Sequence, residues 1–142
     1  LESVKNKNAF TILEMLIVII VVTIITSTML VNINQFNQKH SLNQIAKQFG
    51  ANFNMMQSQS IMRTCNSHIE VYQTEYKIII CDEHYKTETL PSNITAKTKF
   101  TSNISVNKNG NLRFGAGRVI FTSQDFEKQI IFSIGEGRYR IE

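Results

Sequence analysis

Hydrophobic and polar positions divide the chain into three regimes. From Phe10 to Val31 the order FTILEMLIVIIVVTIITSTMLV is apolar on every side of a helix and carries one charge, Glu14, near its start. At about 1.5 Å per residue this stretch makes a helix of roughly 33 Å, enough to cross the hydrocarbon core of a bilayer. Ile33, Phe36, Leu42, Ile45, Phe49, Phe53 and Met56 then recur at helical spacing and form one apolar face. No Pro precedes Pro91 and Gly50 is the only Gly in the stretch, so the pattern predicts one helix from Phe10 to about Met62. Its length would be on the order of 80 Å.

After Arg63 the period shortens to two. His68–Tyr72 and Tyr76–Ile80 read as strands of a hairpin joined by Gln73-Thr74-Glu75, and Lys86 to Leu90 as an edge strand that Pro91 ends. Ile104–Val106 and Leu112–Phe114 flank Asn107 to Asn111, where Asn109-Gly110 supplies turn chemistry. Val119–Thr122, Lys128–Ile134 and Arg138–Ile141 close the domain, the last two joined by Gly135-Glu136-Gly137. The predicted class is α+β: a long N-terminal helix, membrane-spanning in its lower half and amphipathic in its upper half, packed on a small C-terminal antiparallel β-sheet domain. Residues 1–9 form a leader, 10–62 the helix with a transmembrane segment at 10–31, and 63–142 an extracytoplasmic β-rich head.

Charge refines this. Lys5 and Lys7 precede the apolar run and hold the N-terminus in the cytoplasm. The formal net charge is +4, and the basic surplus lies from Lys97 onward. Such a face attracts DNA phosphates or anionic wall polymers, yet a solvated surface is the commoner meaning, and no basic-aromatic module favours direct DNA contact. Glu14 is the sharper feature. An unpaired carboxylate in lipid costs about 3 kcal/mol or more, so it needs a partner.

The leader LESVKNKNA, the small Ala9, then Phe10-Thr11-Ile12-Leu13-Glu14 and the apolar run resemble the class III signal of type IV prepilins and pseudopilins. The family usually has Gly where this chain has Ala9, and Leu-Ile where it has Ile12-Leu13. The resemblance implies a pilin-like fold, cleavage between Ala9 and Phe10 by a prepilin peptidase, and N-methylation of Phe10. It also implies a charge pair between Glu14 and the Phe10 amine of a neighbouring subunit. The partners implied are other pseudopilins in a hetero-oligomeric filament and an assembly platform with a cytoplasmic ATPase. The subunit would wait in the cell membrane as a single-pass protein before joining a filament at the cell surface and wall. The missing helix-kinking Pro fits a pseudopilin better than a major pilin. The tail IIFSIGEGRYRIE resembles the end of minor pseudopilins of the competence and secretion types. Its Gly-x-Gly is no phosphate loop, because no helix follows. The function implied is structural, in DNA uptake for transformation. A type II secretion pseudopilin and a membrane-anchored surface binding module are the alternatives.

Candidate chemistry is sparse. Cys65 and Cys81 flank the first hairpin and fall within about two residues of facing each other, so a disulfide, buried free thiols and a zinc site are the three readings. The zinc reading uses two Cys-x-x-His pairs, Cys65 with His68 and Cys81 with His84, although residues three apart on a strand point to opposite faces. The histidines are His40, His68 and His84, no Ser sits in a nucleophile elbow, and Asp82-Glu83 and Glu127 read as solvated acids. The sequence predicts neither catalysis nor a cofactor.

Overall fold

The computed structural model describes residues 11–100, 103–113, 117–124, 126–133 and 138–142, the side chains of 28–34 excepted. Helix α1 (Ile12–Arg63) is followed by β1 (Ser67–Val71), β2 (Glu75–Ile80), β3 (Glu83–Thr89), β4 (Thr95–Thr98), β5 (Ile104–Val106), β6 (Gly117–Ser123), β7 (Phe126–Phe132) and β8 (Tyr139–Ile141). Two compact units divide at Asn37, so the C-terminal part of α1 belongs with the strands.

In the larger unit, Leu42, Ala46, Phe49, Phe53, Met56 and Ser60 are buried, which is the i, i+3, i+4, i+7 stripe of one helix face. That stripe serves two sheets. The first has strand order β3-β2-β1-β5, the second β4-β6-β7-β8, and every pairing is antiparallel. Phe49 meets the Tyr76 ring of the first sheet at 4.8 Å and the Phe121 ring of the second at 5.6 Å, both edge to face. Phe53 packs on Phe132 and Tyr139 of the second sheet. Gly50 lets β8 approach, since a Cβ there would lie 2.6 Å from Cζ of Tyr139.

Two expectations are corrected. Helix α1 packs on two four-stranded sheets and not on one small sheet, because the buried face is wide enough for Phe49 to touch both. Among the described residues no helix is long and apolar enough to cross a membrane. The transmembrane segment at 10–31, and the single-pass location drawn from it, are therefore overturned as expectations.

Smaller differences have local causes. The β1–β2 hairpin turns one residue earlier than alternation suggests: Val71 faces Tyr76, and Tyr72 N donates to Glu75 O at 2.9 Å. Strand β4 has only Ala96 as an apolar inward residue, so no alternation announces it. Beyond β5, Gly110 adopts φ 80, Asn107 Oδ1 accepts from the amides of Asn109 and Asn111, and Leu112 makes a lone bridge to Val106. Phe114, Ile134 and the Gly135-Glu136-Gly137 turn lie outside the described residues.

The outer strand β3 is tied to α1 by polar groups. Lys86 Nζ reaches Glu88 Oε1 at 2.6 Å, and Asn52 Nδ2 donates to the Tyr76 hydroxyl at 2.8 Å and to Glu88 at 3.5 Å. The Lys86 contact, joined by amide donors, holds the Glu88 carboxyl below its ordinary pKa against its own desolvation. Burial pushes the Tyr76 phenol up to about 12, with the Asn52 hydrogen bond opposing.

Candidate assembly surface

The smaller unit is the start of α1. Thr11 caps it: Thr11 Oγ1 accepts from Glu14 N at 3.3 Å, and Thr11 O accepts from Met15 N at 3.2 Å. Thr11-Ile12-Leu13-Glu14 has the spacing of a capping box, and the Glu14 carboxylate lies in the first turn, where the helix dipole favours negative charge. This local role of Glu14 and the cap at Thr11 escaped the sequence reading, although the Thr-x-x-Glu spacing was the signal for both.

Every residue from Ile12 to Ser27 is exposed. Ile12, Leu13, Met15 to Val22, Ile24 and Ile25 are large apolar side chains between 48% and 83% exposed, and they surround the helix. The polar interruptions do not offset this. Thr23 donates to Ile20 O at 2.8 Å, Thr26 to Val22 O at 2.8 Å and Ser27 to Ile24 O at 2.8 Å, so each hydroxyl is satisfied by its own helix. A helix apolar all round, with its hydroxyls turned inward, has the surface of a buried one. Among the described residues no other run of exposed large apolar side chains is as long, and contiguous apolar patches beyond a few hundred Å² are rare on monomers. Ala9 and Phe10, the expected cleavage and methylation positions, lie outside the described residues.

The cysteine question is closed. Cys65 and Cys81 form a disulfide with Cα atoms 5.3 Å apart, spanning 16 positions. Cys81 N donates to Asn66 O at 3.2 Å, which sets the two strands in the register that lets the sulfurs meet. The bridge takes both thiols from the alternative zinc set of Cys65, His68, Cys81 and His84, and from the free-thiol reading. His68 and His84 both flank Ile79 in register, on strands two apart. His68 Nε2 lies 3.7 Å from Glu70 Oε1, and His84 Nε2 is 2.8 Å from Thr87 Oγ1. Glu70 also accepts from the Tyr72 hydroxyl at 2.8 Å and from Asn103 at 3.4 Å. These are surface polar contacts on an outward sheet face. Glu127 accepts from Gln129, while Asp82 and Glu83 stand exposed at the β2–β3 turn.

Part of the basic surplus is gathered on the outer face of the second sheet. Arg118, Ile131 and Arg140 stand side by side across β6, β7 and β8, and Lys99 N donates to Arg118 O at 2.8 Å. Arg140 is paired with Glu142 at 2.9 Å, and Arg118 donates to Gln129 at 3.1 Å. In comparison with known proteins, no family model, no curated protein and no solved structure matches the chain.

Proposed function

We propose that the chain is a structural subunit of a type IV pilin-like filament, a minor pseudopilin of the competence type that serves uptake of external DNA, and not an enzyme. The observation that carries this reading is the helical stretch Ile12 to Ser27, exposed and apolar on all sides, with Glu14 as its one charge. Burying such a stretch among like helices of neighbouring subunits recovers about 25 cal/mol per Å² of apolar area. In the same reading a prepilin peptidase cuts between Ala9 and Phe10, and the amine of Phe10 on one subunit meets Glu14 of the next. An α-amine with a reference pKa near ~8 is largely charged at neutral pH, so the pair fixes the axial register of the helices. The head, with its own core, selects neighbours.

Substitutions separate the two roles of Glu14. Glu14→Gln keeps a side chain fit for a capping box but removes the charge, and Thr11→Ala removes the cap but keeps the charge. Filament incorporation is lost in Glu14→Gln and Glu14→Val and kept in Thr11→Ala, read by recovering the subunit in sheared filaments. Normal incorporation of Glu14→Gln would overturn the charge-pair account.

A further inference from the structure

Three of the four non-glycine residues with positive φ among the described residues surround the disulfide: Thr64 at φ 56, Cys81 at φ 54 and Asp82 at φ 64. Thr64 ends α1 in a Schellman motif, with Thr64 N donating to Ile61 O at 3.2 Å and Cys65 N to Ser60 O at 3.1 Å. That position favours Gly, and a β-branched residue there is a genuine outlier. Cys81-Asp82 is the two-residue loop between β2 and β3, closed by the Ile80–Glu83 pair, and both residues have positive φ as a type I′ turn requires. Such turns favour Asn-Gly. Both segments that the bridge joins thus hold conformations their own side chains disfavour.

The strand beyond that turn is weakly held at this end. Strand β3 is the outer strand of its sheet. The register shifts between Ile78 and Ile79: Ile78 pairs with Lys86 and Ile79 with His84, which leaves Tyr85 as the extra residue of a bulge. Past the bulge, Lys86 and Glu88 anchor the strand to α1 through Asn52. Before it, Glu83 and His84 have two ladder positions and the bridge.

We propose that the Cys65–Cys81 bridge is a reversible clip on the Glu83–Tyr85 tip of β3, which detaches when a dithiol opens it while α1 and both sheets stay folded. In the exchange, one thiolate of the dithiol attacks a bridge sulfur and the other protein sulfur leaves and takes a proton. The reagent's second thiolate then displaces the remaining protein thiol as the reagent closes its own disulfide. Thr64, Cys81 and Asp82 are then free to leave the left-handed region. The peptide groups of Ile79 and Ile80 facing β3 become an open edge able to accept a strand. Cys65 and Cys81 are both half-buried, at the margin of the core and not within it. This inference is independent of the proposed function.

Hydrogen exchange read by mass spectrometry on the full chain, with and without dithiothreitol, tests it. Reduction is expected to speed exchange by about 10-fold or more at 81–85, as local opening of a segment that loses its tether, with less than about two-fold change in β1, β6 and β7. A uniform rise across both sheets, global unfolding, or no change at 81–85 each overturns the proposal. A bridge-free chain carrying Cys65→Ser, Cys81→Asn and Asp82→Gly has the residues a type I′ turn favours, and slow exchange at 83–85 is expected to return. If that variant exchanges as fast as the reduced wild type, strain at the turn is not what the bridge restrains.

Discussion

Replacing Phe49 with Ala tests whether one helix face holds two sheets. Phe49 is fully buried and sits edge to face with Tyr76 at 4.8 Å and Phe121 at 5.6 Å, so truncation opens a cavity bordered by both sheets. Loss of a buried Phe costs about 3–5 kcal/mol, a large share of the ~5–15 kcal/mol that a domain of this size possesses. With a urea slope of about 2 kcal/mol per M, the midpoint falls by roughly 1.5–2.5 M. The chain has no Trp and four Tyr, so tyrosine fluorescence in urea reports the transition, aided by the buried Tyr76. Double-mutant cycles then locate the contacts. Phe49 with Tyr76 and Phe49 with Phe121 each show a coupling of about 0.5–1.5 kcal/mol, whereas Phe53 couples to Phe132 and not to Tyr76. A Phe49→Ala loss under about 1 kcal/mol, or coupling to one sheet alone, would refute the shared-face packing.

Titration and packing supply further tests. Because Glu88 is held below its ordinary pKa by Lys86, its contribution is full above the unfolded value near ~4.3 and disappears as pH falls through the lower folded value. Glu88→Gln therefore flattens acid unfolding below about pH 4.3, and an unchanged acid limb counts against the contact. Tyr76, pushed up to about 12 chiefly by burial, contributes stability that is full below the unfolded value near ~10 and is lost as pH rises through the folded value. Tyr76→Phe removes that alkaline step, measured by urea melts across this range together with the phenolate absorbance. For Gly50→Ala, the helix-propensity gain of about 1 kcal/mol opposes the crowding of a Cβ 2.6 Å from Cζ of Tyr139, worth about 1–3 kcal/mol. The net result is destabilisation, with β8 loosened in hydrogen exchange, and a net gain in stability would show the Tyr139 ring yielding freely.

Much of the fold was written in periodicity. Of the predicted stripe, Leu42, Phe49, Phe53 and Met56 are buried as their spacing implies and Ile45 is half-buried, whereas Phe36 is 70% exposed; the helix ends at Arg63, one residue past its expected end. Strands β1, β2, β6, β7 and β8 overlap the segments with alternation. The division into two sheets was not legible, because it depends on which distant strands pair: β1 finds β5, and β4 finds β6, each across a long separation. Alternation within a strand says which face is buried but not which neighbour lies beside it. The bridge was legible because a hairpin brings Cys65 and Cys81 near one another, whereas the left-handed backbone around it was not, since Thr, Cys and Asp carry no such signal. At the N-terminus, attention to Glu14 as an acid in an apolar run hid its neighbour Thr11, which caps the same turn.

The account turns on the apolar start of α1 belonging to a processed filament subunit. Mass analysis of the N-terminus of the native chain, purified from cells with an active prepilin peptidase, addresses this most directly. The account predicts a mature chain beginning at a methylated Phe10. A native chain that still carries Lys5 and Lys7 contradicts it.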